Sequence, residues 1–209
     1  PTYNGVALLY RKEAGYVPEG VQLNNPLHED VQRRLVSARF QTAAGPVRVI
    51  GAYFPNGQAV GSEKYVYKLG WIASLQAWIA QLRREEPDTG VILAGDFNIA
   101  PADADVHDPA VWADGILVSG PERQALQGLL ALGLHDAFRL FEQPPKLFSW
   151  WDYRALGFRR NAGLRIDLIL VSDELKPMVG RCWIDKGPRK LEKPSDHTPV
   201  VVEWGAAAT

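Results

Sequence analysis

The chain has 209 residues, 46% apolar and 22% charged, enough for one domain with a sizeable core and ordinary for a globular protein. A single cysteine, Cys182, excludes an internal disulfide and suits a reducing, cytoplasmic setting, while no apolar run is long enough to span a bilayer and no signal-peptide pattern opens the chain. The net charge of −1 gives no global case for a polyanionic partner, but residues 146–193 carry eleven cations against six acids, a local +5 to which nucleic acid would be drawn.

In chain order, Asn4 and Gly5 read as a turn and residues 6–10 as a strand, so the chain starts inside a structure. Residues 11–30 are polar and turn-rich. Residues 35–40 and 47–53 flank Gly45-Pro46 and predict a hairpin, whose second strand exits abruptly at Pro55 and Gly57. That places Tyr53 and Asn56 at a strand end, where a tyrosine is usually packing. In residues 63–86, Tyr67, Trp71, Leu75, Trp78, Ile79 and Leu82 recur at helical spacing until Pro87, which predicts an amphipathic helix with an aromatic core face.

The pivot is the stretch Val-Ile-Leu-Ala-Gly-Asp-Phe-Asn-Ile-Ala-Pro at 91–101. Its apolar start reads as a strand covered on both faces, and its end delivers Asp96 and Asn98 two residues apart. Such a pair can bind a metal, orient water or stabilise a growing charge; an Asx turn closing the strand explains the same residues. Strand, helix, strand then makes an α/β fold.

Downstream, residues 102–120 are acidic and irregular, and 121–133 predict a short helix opened by Pro121. Residues 147–153 read as an aromatic strand and 157–163 as a basic turn. Residues 164–171 read as a second apolar strand with Asp167 in its interior, a costly place for an unpaired charge. Residues 179–184 and 200–204 are short strands around a basic loop and the Ser195-Asp196-His197 tripeptide. His28, His107 and His135 have no obvious partners and are read as non-catalytic.

Gly-Asp-Phe-Asn, then Arg-Ile-Asp, then Ser-Asp-His is a specific ordered combination. It resembles the endonuclease/exonuclease/phosphatase superfamily, and within it the exodeoxyribonuclease III type of apurinic/apyrimidinic (AP) endonuclease. The matching segments are 51–57 (GAYFPNG), 95–101 (GDFNIAP), 148–154 (FSWWDYR), 163–168 (GLRIDL) and 192–200 (EKPSDHTPV). They span nearly the whole chain.

The resemblance implies a four-layer α/β sandwich of two packed mixed sheets flanked by helices. It implies Asp96 as the residue that activates water or protonates the leaving group, Asn98 as a phosphate holder, and His197 on the scissile phosphate with Asp167 fixing its tautomer. Asp196 matches a ligand of Mg²⁺ or Mn²⁺, with Asp96, Asn98 and His197 as further metal-site candidates. Tyr53 matches an active-site tyrosine and Asn56 a phosphate contact. Phe148, Trp150, Leu164 and Ile166 match a pocket for a base-free deoxyribose, although packing explains an aromatic strand equally well. Arg154, Arg159, Arg160 and Arg165 would grip the DNA backbone.

The implied activity is hydrolysis of double-stranded DNA 5′ to an abasic site and from 3′ ends by a monomer. The family's N-terminal part also carries a metal-binding asparagine and a glutamate in a Gln-Glu-Thr-like motif. This sequence begins downstream of both, so it is expected to be a partial domain lacking the first strands, with weak metal binding and weak or no activity by itself. Two other readings remain: the same superfamily acting on a non-DNA phosphoester, and a non-catalytic DNA-binding remnant.

Overall fold

The computed structural model of the protein describes residues 5–205; Asn4, part of the predicted opening turn, lies outside them. A six-stranded mixed sheet forms the centre. Its strands are β1 (Glu19–Leu23), β2 (Leu35–Thr42), β3 (Gly45–Tyr53), β4 (Gly90–Asp96), β5 (Leu134–Asp136) and β8 (Asp167–Ser172), in the spatial order β1-β2-β3-β4-β8-β5. The hairpin β2–β3 is antiparallel, and β3 runs parallel to β4. The parallel pair needs a crossover, which α1 (Glu63–Glu85) provides.

Helix α1 starts at Ser62, whose side chain accepts the Tyr65 amide, and stops before Pro87. Trp71, Ile72, Leu75, Trp78, Ile79 and Leu82 form its buried stripe against Ile50, Leu93, Leu168 and Leu170. After the single turn of α2 (Pro109–Trp112), helix α3 (Gly120–Leu130) joins the same core through Leu126 and Leu129. On another core, Val47, Ile92 and Val171 of the central sheet meet Cys182 and Ile184 of β9 (Val179–Ile184), with Val200 and Val202 of β10 (Val200–Trp204) packed alongside. Strands β9 and β10 form an antiparallel pair, so the described residues account for three layers: helices, central sheet and second sheet.

The predicted hairpin, long helix and last two strands are present, and the mixed α/β architecture agrees with the expectation. Three details differ. Residues 5–10 hold no strand, and the stretch 11–30, expected to be turns, contains β1. The aromatic strand at 147–153 contracts to β6 (Trp150–Trp151), paired with β7 (Gly163–Leu164). The long strand at 164–171 is interrupted, because Arg165 N donates to Asp105 O at 2.9 Å and Ile166 N to Ser149 Oγ at 3.1 Å instead of to a neighbouring strand. Asp167 is therefore the first residue of β8, not an interior one. Among the described residues no helix is long and apolar enough to cross a membrane.

Gly95 sits where β4 presses closest to β3. Its φ is +147°, and a Cβ there would lie 1.9 Å from the Ala52 carbonyl oxygen, so only glycine fits beside Asp96. Gly95→Ala is expected to cost roughly 3 kcal/mol or more in urea unfolding. A loss below about 0.5 kcal/mol, the range of a neutral surface change, would contradict this packing.

Candidate active site at one rim of the sheet

Three strand ends meet at one rim. Tyr53 closes β3 opposite Asp96, which closes β4, and Asp96 lies opposite Asp167, which opens β8. The backbone then leaves the sheet in fixed directions. Phe54 N donates to Asp96 O at 2.9 Å, Phe97 N to Ile166 O at 2.8 Å, and Asn98 takes a left-handed φ of 49°, which asparagine tolerates. The strand geometry that would align Asp96 and Asn98 does not persist. They meet through a turn instead, with Asp96 Oδ1 accepting Asn98 N at 2.8 Å and Oδ2 accepting Asn98 Nδ2 at 3.0 Å.

His197 enters from the loop before β10. Its Nδ1 lies 2.9 Å from Asp167 Oδ2, and its Nε2 lies 4.0 Å from Asp96 Oδ2. Asn56 Nδ2 donates to Asn98 Oδ1 at 3.0 Å, so two amides and an acid continue the row. Asp96, Asn98, Asp167, His197 and Asn56 thus share one rim, with Tyr53 beside Asp96. The cation of Arg34 stacks 5.0 Å from the Tyr53 ring centre. Asp196 is next to His197 in sequence, but its Oδ2 accepts the Trp150 indole N–H at 3.0 Å.

The electrostatics follow from this crowding. Burial pushes the Asp96 carboxyl up and the neighbouring Asp167 charge pushes it further, to about 7, against the opposing pull of His197, the Asn98 N–H and Lys68. Burial by itself would lower the His197 imidazole. The hydrogen bond and charge of Asp167, helped by Asp96 and Asp196, outweigh it and hold the ring up at about 9. At neutral pH the ring is therefore a cation between two acids.

Several expected contacts take other positions. Arg165, expected on substrate, is enclosed: its Nε donates to Asp105 Oδ1 and its Nη2 to Asp136 Oδ2, each at 2.7 Å. A buried guanidinium needs such partners, and this one ties the Asp105 segment to the end of β5. Phe148, Leu164 and Ile166 are buried, the last two in a cluster with Ala100, Val106 and Leu117. They can support a pocket but present almost no surface to a ligand, whereas Trp150, packed on that cluster, is half-buried. Arg154 is exposed and paired with Asp152 at 2.8 Å. His28, His107 and His135 contact Ser74, the Gly163 carbonyl and Asp173 respectively, outside the cluster.

Three supporting residues were not singled out from the sequence. Ser149 Oγ accepts both Ile166 N and Asp167 N, which fixes where β8 begins. Arg189 donates from Nη1 to Ser195 O and stacks over Phe158 at 4.8 Å, which anchors the loop carrying Asp196 and His197. Lys68 lies beneath the two asparagines. Its signal was available: a lysine on the apolar stripe of α1, three residues before Trp71.

As a metal site the set does not close. Among the described residues no group of three or more histidine, cysteine, aspartate or glutamate side chains could hold an ion. Asp96 is already bonded twice by Asn98, and Asp196 is bonded by Trp150. A hard cation needs more oxygens than this.

A cation, a carboxylate near its titration point and a row of amides at one rim suit a phosphate ester and an attacking water. The comparisons agree. The sequence model of the Endonuclease/Exonuclease/phosphatase family matches residues 1–197, and the chain belongs to that family. It is 36% identical over 208 residues to an exodeoxyribonuclease III of Haemophilus influenzae, covering 96% of this chain and 76% of that one. A 3′ phosphatase from Neisseria, solved with a product DNA hairpin, superposes with a TM-score of 0.84 at 41% identity over 91% of this chain and 72% of that one. An AP endonuclease from Archaeoglobus fulgidus superposes at 0.81 with 32% identity, covering 90% and 72%.

Both pKa shifts keep protons on the native state that the unfolded chain has lost, Asp96 between 3.8 and about 7, His197 between 6.5 and about 9. Stability falls as pH rises through that window. In EDTA, urea melts are expected to give lower stability at about pH 9 than at about pH 6, with Asp167→Asn flattening the upper part. Stability that is level or rises over that range would contradict the assignment. Calorimetric titration with Mg²⁺ is expected to give a dissociation constant weaker than about 1 mM, and one tighter than about 10 µM would reveal a donor set that this geometry lacks.

Proposed function

We propose that the chain is a DNA repair nuclease of the exodeoxyribonuclease III type, which hydrolyses phosphodiesters of double-stranded DNA 5′ to an abasic sugar and at 3′ ends. The observation that carries the reading is the row Asp167–His197–Asp96, in which the 4.0 Å between His197 Nε2 and Asp96 Oδ2 is bounded by a cation and a carboxylate. A phosphate oxygen would lie against the Nε2–H. Asp167 keeps the ring protonated and oriented, so the charge faces the phosphate at neutral pH.

Asp96 is the base. A carboxylate raised to about 7 is half ionised near neutrality, and its basicity is matched to taking a proton from water. Asn56 spends one of its two N–H groups on Asn98 Oδ1, so the other is available to a second phosphate oxygen. Trp150 would meet the base-free sugar, with Phe148, Leu164 and Ile166 as its backing. The same arrangement accepts a terminal phosphate, so removal of a 3′ phosphate from DNA is a second reaction of this site, in line with the Neisseria structure. The lone exposed cations of residues 146–193 would follow the DNA backbone.

The test is a duplex carrying one tetrahydrofuran abasic analogue. Incision at the analogue is expected in Mg²⁺ and not in EDTA, slow for want of oxygen ligands, and lowered about 100-fold by Asp96→Asn or His197→Ala. Cutting that ignores both substitutions would overturn the reading. So would a protein that binds the duplex without cutting it, which would leave only a DNA-binding role.

A further inference from the structure

Lys68 has no exposed surface, although it is a lysine on the core-facing side of α1. Its ammonium reaches three groups. It donates to Asn98 O at 2.7 Å, to Asn56 O at 3.2 Å, and to Glu122 of α3. Glu122 is equally enclosed and is held by Leu117 N at 3.2 Å, Ser119 N at 3.1 Å and Ser119 Oγ at 2.6 Å. The hydroxyl of Tyr65, one turn before Lys68, meets Ser119 Oγ at 2.7 Å. Even the approach is shaped, since a Cβ on Gly57 would sit 3.1 Å from the Lys68 stem in a backbone conformation of φ +90°.

A buried ion pair that only stapled α1 to α3 would be a poor device, because apolar residues of the same volume commonly do as well. A buried ammonium must place all three of its N–H groups, and two of them go to the asparagine carbonyls. Here the backbone oxygens that Lys68 holds belong to the residues whose side chains bond to each other at 3.0 Å and continue to Asp96. One of them, Asn98, is the residue whose left-handed φ of 49° carries the chain away from the end of β4.

We propose that Lys68, anchored by Glu122, is a positioning residue that sets the spacing of Asn56 and Asn98 and so the alignment of the amide row against the scissile phosphate. The role rests on the nuclease reading of the rim. It acts through the two carbonyls and not by touching substrate.

The test uses the full chain and two variants. Lys68→Met/Glu122→Gln removes both charges while the glutamine carbonyl still accepts from Ser119 N and Oγ. Glu122→Gln alone keeps Lys68 and loosens its anchor. Side-chain amide signals of Asn56 and Asn98 are read by NMR without DNA, and kcat and KM are read on the abasic-analogue duplex. For the double variant, displaced Asn56 and Asn98 signals are expected, with kcat lowered about 100-fold and KM within about threefold of wild type. Lys68→Arg, which keeps a buried cation with several donors, is expected to recover most of kcat.

Should the double variant fail to melt cooperatively, Glu122→Gln decides: moved amide signals and a kcat at least about threefold down support the role. Unmoved signals and unchanged kcat in a folded variant overturn it, as does a loss confined to KM. A wild-type chain that never cuts the duplex would refute the nuclease reading, while the amide signals would still settle whether Lys68 sets the asparagines.

Discussion

Two carboxylates forced side by side are the constraint on which the rim depends. The register of β4 against β8 sets Asp96 opposite Asp167, and the sheet leaves neither acid room to withdraw. Like charges this close are unfavourable unless a cation answers them. His197 answers both, one ring nitrogen on Asp167 and the other turned toward Asp96. The result is a proton-rich site at neutral pH on a protein of nearly balanced overall charge.

The rest of the molecule holds that arrangement still. Gly95 allows β3 and β4 to close up beside Asp96, Ser149 decides where β8 begins, and Arg189 pins the loop that brings in His197. Arg165 locks the Asp105 segment to the end of β5. Each is a polar or backbone device inside an apolar frame, although Arg165 Nη1 and Arg189 Nε are buried without a hydrogen-bond partner. The aromatic helix α1 contributes bulk to the core and, through Lys68, a single cation delivered to the loops above it.

Much of this was legible beforehand, for identifiable reasons. The Gly95-Asp96-Phe97-Asn98 turn and Ser195-Asp196-His197 stand at ends of apolar runs, where a sheet presents functional groups, and Asp167 drew notice as a charge within one. The helical period of Tyr67 to Leu82 and the alternation around Gly45-Pro46 gave α1 and the hairpin almost to the residue. What failed were statements about which way a side chain faces. Arg165 sits in a basic segment and reads as a DNA contact, but its partners Asp105 and Asp136 are 60 and 29 residues away, and no local pattern announces them. Phe148, Leu164 and Ile166 lie in the right segments yet face inward, because the break at Arg165 and Ile166 turns the chain. Lys68 stands out as a lysine in an apolar stripe, but its partners lie 12, 30 and 54 residues away, and no local pattern names them.

The central claim is that His197 and Asn56 engage one phosphate together, held in place by Asp167 and Asn98. Titrating an abasic-analogue duplex into isotope-labelled protein in EDTA, while following the His197 ring and the Asn56 and Asn98 side-chain amides, tests it most directly. The account predicts that all three sets of signals move along one binding curve. Signals that stay in place while the duplex binds elsewhere, or that move with unrelated affinities, would contradict it.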